Sequence, residues 1–420
     1  MAASPPTARS EHAGMLEIDD ARALVLAAAS PLPGEPVELP GALGRVLAED
    51  AIAPQPVPAF DGSAMDGFAV RAADIADAQP ESPAVLDLIG ESRAGAPAQE
   101  RLGAGQAIAI STGAMLPAGA DAVVRVEDTR VGDRRVEILV PAAPGHDVRL
   151  AGEDIAAGAT VLKRGTALGP AQLGVLASLG RDSVLCARRP RVSLLSTGDE
   201  LIRAGEPSRL GAVRDSNSLT IAALAQRAGA EAVRVAAVRD DAGQTTAAIA
   251  TAVSSADVAV ICGGVSVGAH DHVRGGLSAL GASEAFWGLA LKPGHPTWFG
   301  TLDGTLVFGL PGNPVSAMVT FVLLVQPALR SMLGLPPYGP RLSAVMDIDY
   351  EKPRGRAHAV RARLRAQADG WHAKPTGAQG SHVLTSMLAA DALVLLPSDS
   401  TGARAGERVQ IEPLWGERLT

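Results

Sequence analysis

The sequence predicts a multidomain protein of the α/β and β classes, in which a central doubly wound α/β domain is combined with β domains. Three observations support this prediction. Residues 191–280 alternate apolar strand-like runs with helical runs, residues 66–146 contain short alternating runs broken by Gly and Pro, and residues 341–420 return to short strands. With 420 residues, the chain is long enough for two to four hydrophobic cores.

The N-terminal part begins with residues 1–14, which carry Pro, Ser and charge without an apolar segment and are predicted to be a disordered tail. Residues 18–29 have helical spacing, and this helix should end before Pro31. The proline-rich residues 53–62 are expected to be extended. The runs within residues 66–146 then predict a small β domain.

The strand and helix pattern of the second half begins after a predicted helix at 169–180 and a strand at 183–190. Continuous apolar runs predict further strands, and amphipathic runs predict helices between them. The predicted strands are 191–198, 231–238 and 257–264, and the helices are 218–229, 244–256 and 272–280. Strands that alternate with helices indicate a doubly wound parallel sheet. Residues 336–340 are a predicted linker to the last β domain.

Composition and charge exclude several classes of function. Lys and Arg total 37 against 45 Asp and Glu, and the net charge of −8 argues against a general binder of nucleic acid or of anionic membranes. Two cysteines, Cys186 in a predicted loop and Cys262 in a predicted buried strand, suit a reducing compartment, so we expect a cytoplasmic protein. The longest apolar run, 315–325, is shorter than the roughly 20 residues that span a bilayer and predicts a core helix.

Three loops lie where ligands bind in open α/β sheets, beyond the carboxyl ends of the strands. Residues 196–201 offer two hydroxyls, a glycine and two carboxylates, and residues 263–273 offer three glycines, two imidazoles and Asp271. Residues 309–317 predict a helix start with Asn313 as N-cap, where free N–H groups attract anions. Each loop alone is more typical of an ordinary turn. Together they favour a ligand site.

The turn at residues 292–295, Lys-Pro-Gly-His, follows a fourth apolar strand. We expect this stiff turn to direct the charge of Lys292 and the ring of His295 into an anion pocket on the same side of the sheet. The alternative is that Lys292 is simply a solvated surface lysine.

The N-terminal half contributes carboxylates in two further segments, 60–70 and 149–155. Gly62 and Gly67 are predicted to mark tight turns around Asp61 and Asp66, and Asp154 follows Glu153 in a glycine-led loop. Carboxylates from separate segments suit Mg²⁺, together with phosphate oxygens and water. They are also typical of side chains that only cap backbone N–H groups. A zinc site at His270, Asp271 and His272 is not favoured, because adjacent residues do not easily share one tetrahedral centre.

An ordered set of motifs carries a family resemblance. They are DGSAMDGFAV, STGA, RLAGEDI, STGDEL, RDD, GGVSVGAHD, LKPGHP, GLPGNPVSA and GSHVLTSMLAADALVLLP. This set resembles the molybdopterin molybdenumtransferase family, which includes the E domain of gephyrin. The resemblance covers residues 15–412.

The resemblance implies a four-part subunit. It comprises a segmented N-terminal domain (15–58 and 147–188), an inserted β domain (59–146), a molybdopterin-binding α/β domain (189–336) and a C-terminal β domain (341–420). It also implies a homodimer with the active site between subunits. The implied reaction inserts molybdate into adenylylated molybdopterin with Mg²⁺ and releases AMP. Neither cysteine lies in a functional motif, so sulfur ligands for molybdenum must come from the substrate.

By motif, the resemblance assigns catalytic and metal-binding carboxylates and an anion-binding lysine. The carboxylates are Asp66, Asp154, Glu200, Asp240 and Asp271, and the lysine is Lys292. The expected cofactor-binding residues are Thr112, Ser196, Thr197, Gly198, Gly263, Gly264, Ser266, His295, Pro311, Gly312, Asn313, Ser316 and Ser381.

The chain departs from the family pattern at two places. The family usually has a second lysine where this chain has His295, so any charge at this position depends on pH near neutrality. An acidic-aromatic pair is common in the family within the segment 355–361, and its absence weakens an assignment of Arg356 and Arg361.

Two other functions remain open. A molybdopterin adenylyltransferase shares the α/β domain, but the long N-terminal half and the C-terminal β domain argue against it. A non-catalytic carrier or scaffold would keep the fold without turnover, and His295 favours it. Expected partners are a second copy of the chain, the adenylyltransferase and molybdoenzyme maturation proteins, with no nucleic acid and no membrane.

Overall fold

The computed structural model describes residues 15–234, 237–266 and 271–414. The predicted tail, residues 1–14, and His270 of the candidate zinc triplet lie outside the described residues. The chain divides into two compact units. The first contains the residues up to Glu35, Gly44–Ala48 and the chain from Leu185 onward. The second contains Pro36–Leu43 and Glu49–Val184.

The second unit is built on a six-stranded sheet. In spatial order its strands are Ala122–Arg125, Gly67–Val70, Gln106–Ile110, Ala84–Ser92, Arg135–Ile138 and Thr129–Val131. Ala84–Ser92 runs parallel to Gln106–Ile110, and the other neighbours are antiparallel. Its alternate residues, among them Phe68, Val70 and Leu86, form a hydrophobic core. This sheet confirms the β fold predicted for residues 66–146.

The prediction of tight turns at Gly62 and Gly67 is wrong, because both glycines lie in strands. A Cβ atom on Gly67 would collide with the carbonyl oxygen of Val124 in the neighbouring strand, so the glycine permits close strand approach. The remaining regular elements of this unit are short. They are the strand pairs Ala51–Ile52 with Thr160–Leu162 and Gly62–Ser63 with Val148–Arg149, the helix Pro170–Ser178, and the 3₁₀ turns Leu39–Gly41, Ala72–Ile75 and Val126–Asp128.

The first unit contains the predicted α/β sheet. In spatial order its six strands are Glu231–Arg234, Arg191–Ser196, Val258–Cys262, Thr305–Leu310, Trp298–Leu302 and Ser283–Trp287. The first four run parallel to one another, Trp298–Leu302 runs antiparallel to both of its neighbours, and the edge strand Ser283–Trp287 therefore runs in the direction of the first four. The sheet is therefore mixed. The reason is a tight hairpin at Asp303 and Gly304, whose φ values of 50° and 83° suit a two-residue turn that reverses the chain.

Helices cover both faces of this sheet. Their bounds are Ile18–Ala28, Asn217–Arg227, Ala242–Ser254, Val273–Ala279 and a long helical segment from Pro314 to Met332. Leu194 shares one core cluster with Ile221 and Leu324, whereas its neighbour Leu195 shares the opposite cluster with Ile249. Because successive residues of a strand point to opposite faces, this division confirms the doubly wound arrangement.

The segment Pro314–Met332 is longer than the predicted core helix. It consists of α-helix Pro314–Thr320, π-helix Phe321–Val325 and α-helix Gln326–Met332, and it continues through Pro327, where the sequence pattern predicted an end. By length and composition alone, this 19-residue segment is apolar enough to cross a membrane. However, 83% of its most apolar window is buried against the protein, which is the environment predicted for a core helix.

The last part of the first unit is a barrel-like sheet. Its strands, in spatial order, are Leu291–Lys292, Ala357–Gln367, Gly370–Pro375, Leu342–Met346, Arg408–Pro413 and Ala392–Leu396, and the last also pairs with Ala357–Gln367. This closure confirms the predicted C-terminal β fold. Shorter elements are the strand pairs Tyr350–Glu351 with Gly402–Ala403 and Leu201–Ile202 with Val213–Arg214, and the helix Thr385–Leu388.

Both cysteines are buried. Cys186 lies in the strand Ser183–Ala187, which confirms the strand predicted at 183–190 and shows that the assignment of Cys186 itself to a loop is wrong. A further short strand, Gly34–Glu38, lies earlier in the chain. Cys262 ends a central strand of the α/β sheet, where burial raises the pKa of its thiol to about 12. It is therefore a protonated core side chain at neutral pH.

Candidate functional site

The three predicted strand-end loops meet at the carboxyl ends of the parallel strands. The N–H of Thr197 donates to the carbonyl of Cys262 at 3.0 Å, and the N–H of Gly263 donates to the carbonyl of Leu310 at 3.0 Å. The segments 196–198, 263–264 and 311–313 therefore adjoin one another. This arrangement follows from the parallel register, because the carboxyl ends of neighbouring strands share one edge of the sheet.

Two glycines allow this close approach. A Cβ atom on Gly263 would lie 2.8 Å from the carbonyl oxygen of Thr197, and one on Gly264 would lie 2.8 Å from the Oγ1 of Thr197. Their φ values are +92° and +66°, a backbone region that other residues rarely adopt. Glycine is therefore required at both positions for both steric and conformational reasons.

Two buried polar atoms at this junction lack a hydrogen-bond partner among the described residues. They are the Oγ1 of Thr197, whose residue is 7% exposed, and the Oδ1 of Asn217, whose residue is 9% exposed. Asn217 is held in place because its side-chain Nδ2 donates to the carbonyl of Gly312 at 2.8 Å. Buried polar groups are almost always paired, so these atoms indicate where a polar ligand binds.

Carboxylates surround the same strand ends. Asp199 and Asp240 are linked reciprocally, since each backbone N–H lies 3.4 Å from a carboxylate oxygen of the other residue. The carboxylate of Glu200 folds back over Gly198, and a Cβ atom at Gly198 would lie only 2.6 Å from its Oε2. The predicted carboxylate Asp240 is thus joined to Asp199, the residue that directly precedes the predicted carboxylate Glu200.

The other residues of the glycine-rich loop are less enclosed. Ser266 is exposed, and Asp271 is half-buried directly before the helix Val273–Ala279. The loop is anchored by Trp287, whose indole N–H donates to the carbonyl of Val265 at 2.8 Å. This hydrogen bond from a strand residue holds the start of the loop, at Val265, in place.

The predicted helix start is present, with Asn313 at the N-cap and Pro314 at the first position. Asn313 makes no side-chain cap hydrogen bond, and the N–H of Val315 donates to the carbonyl of Ser381 at 3.2 Å. One first-turn donor that we expected to be free for an anion is therefore occupied. Ser316 is buried in the same turn, so Ser316 and Ser381 are close in the structure.

The loop that carries Ser381 is held by Arg361. This side chain is 1% exposed, and its Nε donates to the Oγ of Ser386 at 3.1 Å while its Nη2 donates to the carbonyl of Gly380 at 3.0 Å. Burial lowers the pKa of Arg361 from its ordinary value. No carboxylate pairs with it among the described residues, so neutral dipoles stabilise this buried cation.

The placement predicted for Lys292 and His295 is wrong in one respect. Lys292 does not end a strand of the α/β sheet, because Leu291–Lys292 pairs with Ala357–Gln367 of the barrel-like sheet, and its side chain is exposed. His295 is half-buried, with its Nδ1 3.0 Å from the carbonyl oxygen of Leu289. A carbonyl only accepts, so this contact places a proton on Nδ1 and leaves Nε2 for a ligand.

The second unit holds the remaining predicted residues. The Oδ1 of Asp66 accepts hydrogen bonds from the backbone N–H of Thr112 at 2.6 Å and from its hydroxyl at 3.0 Å. These two bonds, the backbone one first, lower the pKa of Asp66 below its ordinary value. Asp154 is exposed in the loop 149–155. This loop is joined to the segment 60–70, since Asp61 accepts from the N–H of Ala151 at 2.7 Å.

Within the described residues, no three His, Cys, Asp or Glu side chains lie together as a complete metal site. Mg²⁺ commonly uses only one or two protein carboxylates and completes its shell with phosphate oxygens and water. Asp199 and Asp240 are neighbours and offer two carboxylates, so the donors present are compatible with Mg²⁺ bound together with a phosphate-bearing substrate.

Sequence reasoning missed several residues of this site. Asp199 belongs to a recognised motif, but of its two carboxylates only Glu200 was assigned. Asn217 directly precedes the predicted helix 218–229, where a polar residue is typically a cap, and its role in holding Gly312 needs the fold. Trp287 is one of four tryptophans in an aromatic-poor chain, which was the available signal. Nothing in the sequence indicated that Arg361 is buried.

Three family descriptions match the chain in succession. "MoeA N-terminal region (domain I and II)" matches residues 16–180, "Probable molybdopterin binding domain" matches residues 193–331, and "MoeA C-terminal region (domain IV)" matches residues 343–414. The middle match contains the strand-end loops described above.

Similar proteins span nearly the whole chain. The molybdopterin molybdenumtransferase of Haemophilus influenzae is 37% identical, covering 95% of this chain and 98% of its own length. The molybdopterin molybdenumtransferase 2 of Mycobacterium tuberculosis is 40% identical, covering 89% and 94%. The molybdopterin biosynthesis MoeA protein from Pyrococcus horikoshii matches in structure with a TM-score of 0.86 and 34% identity, over 96% of this chain and all of that one. The chain therefore belongs to the MoeA family of molybdopterin molybdenumtransferases, which are transferases.

Proposed function

We propose that this protein inserts molybdate into adenylylated molybdopterin in a Mg²⁺-dependent reaction that releases AMP and yields molybdenum cofactor. The observation that carries the proposal is the pair of unpartnered polar atoms, on Thr197 and Asn217, at the meeting point of three strand-end loops. A ligand with several polar groups is needed to satisfy them. The names of the relatives support a molybdopterin-linked substrate and a transferase reaction.

The residues of the strand-end site have distinct tasks in this proposal. The glycine backbone at 263–264 lets the substrate approach, while Thr197 and Asn217 orient it by hydrogen bonds. Glu200 and Asp240, with Asp271, hold Mg²⁺. When bound, Mg²⁺ neutralises charge on the phosphate oxygens of the pyrophosphate bond that is broken.

Further residues bind the oxyanion substrate and the remaining polar groups. Lys292 is an exposed cation, and the Nε2 of His295 is the ring nitrogen that is left for molybdate. The hydroxyls of Ser316 and Ser381 lie near the same helix start. Electrostatic stabilisation and positioning are the main requirements of pyrophosphate cleavage, so no protein nucleophile is needed.

Assembly and location belong to the same proposal. We expect the four-part domain division, a cytoplasmic homodimer with the active site between subunits, and contact with the adenylyltransferase and with molybdoenzyme maturation proteins. Mixing an inactive D66N protein with an inactive E200Q protein tests the shared site, because heterodimers should regain AMP release. Activity that stays absent in the mixture, while heterodimers form, argues against an active site shared between subunits.

The decisive experiment follows AMP release from adenylylated molybdopterin by the purified protein, with Mg²⁺ and molybdate each added or withheld. Release that requires both supports the transferase reaction. Binding without release favours a carrier or scaffold, a reading that the departure at His295 also favours. Consumption of ATP with unadenylated molybdopterin identifies an adenylyltransferase.

A further inference from the structure

A cavity lies beside the strand-end site, next to the loop that follows Ser196. It has a volume of about 800 Å³, within the range of roughly 300 to 1,000 Å³ typical of small-molecule sites. Its lining includes Gly198 and Asp199, which also border the strand-end site, together with Val238 and Arg239. The cavity is therefore adjacent to the proposed active site.

Guanidinium groups dominate the chemistry of this cavity. Arg203, Arg209, Arg234 and Arg239 line it, and Arg214 lies in the adjoining strand. Arg209 donates to the carbonyl of Asp199 at 2.5 Å, and Arg214 donates to the carbonyls of Arg203 and Glu206 at 3.1 and 2.9 Å. Among the residues that the structure describes, none of these five arginines forms an ion pair with a carboxylate.

The nearby carboxylates are occupied by other donors. Asp215 accepts from the backbone N–H and the hydroxyl of Ser218 at 3.0 and 2.5 Å. Glu206 accepts from the backbone N–H of Arg203 at 3.2 Å. Asp199, Glu206 and Asp215 keep their negative charges in the lining, but the four lining arginines outnumber them and form no ion pair with them among the described residues, so guanidinium N–H groups remain available to an anion.

The cavity also has an apolar wall. Leu201, Ile202 and Leu219 line it, and Leu219 is 44% exposed, so a flat ring has a surface to lie on. An arginine fork matches the oxygen spacing of a phosphoryl group and forms paired, charge-assisted hydrogen bonds with it. The combination fits a phosphorylated heterocycle better than it fits a bare oxyanion.

We propose that this arginine-lined cavity is a subsite that binds the phosphoryl group of an organic phosphate whose ring packs on Leu201 and Leu219. The proposal rests on the proposed function, since an adenylylated pterin carries such groups in both halves. The phosphoryl group belongs either to the adenylyl half or to the pterin half, and the chemistry of recognition is the same for both.

The test compares a cavity variant with a charge-matched control. R203S combined with R234S removes two cavity arginines, whereas R164S combined with R363S removes two exposed arginines elsewhere and changes the net charge equally. Calorimetry with AMP and with adenylylated molybdopterin at low and high salt measures binding directly. We expect the cavity variant to lose at least about tenfold in affinity, which equals about 1.4 kcal/mol, and the control to bind like the parent protein.

The two ligands separate the two sources of the phosphoryl group. Weaker AMP binding in the cavity variant assigns the cavity to the adenylyl half. Unchanged AMP binding with weaker binding of adenylylated molybdopterin assigns it to the pterin half. Equal affinities of the cavity variant and the control for both ligands overturn the proposal.

The outcome is independent of the transferase assay. If the parent protein releases AMP while the cavity variant binds both ligands normally, the proposed function stands and the subsite is rejected. If the parent protein binds organic phosphate through the cavity but never releases AMP, the subsite stands and the transferase reaction is rejected.

Discussion

The indole N–H of Trp287 donates a 2.8 Å hydrogen bond to the carbonyl of Val265, and this bond joins the outer strand of the α/β sheet to the glycine-rich loop. The same indole ring contacts His295 edge-on, with ring centroids 5.9 Å apart, and the guanidinium of Arg274 covers it at 4.6 Å. One side chain therefore positions both the loop and the histidine turn.

Replacing Trp287 with Phe should keep an aromatic ring at this position but remove the hydrogen bond to the carbonyl of Val265. Val265 is 2% exposed, so its carbonyl would lose a partner in a buried environment, at a cost of about 1 to 3 kcal/mol in the free energy of unfolding. We expect weaker binding of adenylylated molybdopterin as well. Denaturant unfolding and calorimetry measure both effects. W371F is the control, because Trp371 forms no side-chain hydrogen bond with the residues that the structure describes, and equal losses in both variants would contradict the positioning role.

The substitution G198A should mimic the loss of the Glu200 carboxylate. The new Cβ would lie 2.6 Å from the Oε2 of Glu200, which is the end of a flexible side chain and can move away, while the φ of +151° at this position adds backbone strain. We expect AMP release to fall by about the same factor as in E200Q, on the order of a hundredfold. G263A provides the contrast, because its Cβ would press on the backbone of Thr197 and should reduce the melting temperature more. Full activity in G198A would show that the position of Glu200 is not critical.

The substitution T112V should raise the pKa of Asp66. The hydroxyl bond is lost while the backbone N–H bond, the larger cause of the lowered pKa, remains. The pKa should therefore rise only part of the way to its ordinary value, and T112S should restore the lower value. Carboxyl NMR titration measures this shift, and a pKa in T112V equal to that of the parent protein would exclude a contribution of the hydroxyl.

His358 should make the protein less stable in acid. It is 5% exposed, and burial, followed by the charges of Lys292, Lys352 and Arg356, lowers its pKa to about 4. Between pH 4 and the unfolded pKa near 6.5, the unfolded chain binds a proton that the folded chain does not, so stability falls as the pH falls through this window.

The loss is expected to reach up to about 3 kcal/mol at pH 4 relative to neutral pH. H358Q should flatten that part of the profile, which urea unfolding at several pH values measures. A profile of H358Q that is parallel to the parent between pH 4 and 6.5 would assign the acid sensitivity to other groups.

The substitution H295K tests the departure from the family pattern. Lysine keeps its charge through neutral pH, whereas the charge of a histidine side chain commonly changes there. We expect tighter molybdate binding and a flatter dependence of affinity on pH between about 6 and 8. H295Q serves as an uncharged control. If H295K and H295Q bind molybdate equally across this range, charge at position 295 does not contribute.

The parts of the fold that depend on local patterns were predictable. The alternation of apolar runs identified the parallel strands, and the parallel register then placed the loops at 196–198, 263–264 and 311–313 on one edge. The antiparallel strand Trp298–Leu302 was not predicted, although Asp303 and Gly304, a strong hairpin signal, separate it from Thr305–Leu310.

The parts that depend on long-range pairing were not predictable. Lys292 follows an apolar run of the α/β region, yet its strand pairs with residues that are more than 60 positions later in the barrel-like sheet. The burial of Arg361 likewise depends on Gly380 and Ser386, which only the closed sheet brings to it. Local sequence contains no signal for such contacts.

The hydrogen bonds from Arg361 hold the loop that carries Ser381, and this contact limits whether the first unit can be cut into separate functional parts. The α/β region does not complete the candidate site by itself. Ser381, whose carbonyl accepts a hydrogen bond from the N–H of Val315, belongs to the part of the chain that forms the barrel-like sheet. A fragment that ends at residue 336 would keep the glycine loops but not Ser381. The α/β region alone therefore lacks the contact between Ser381 and Val315, and we expect domain exchange between relatives to require both parts together.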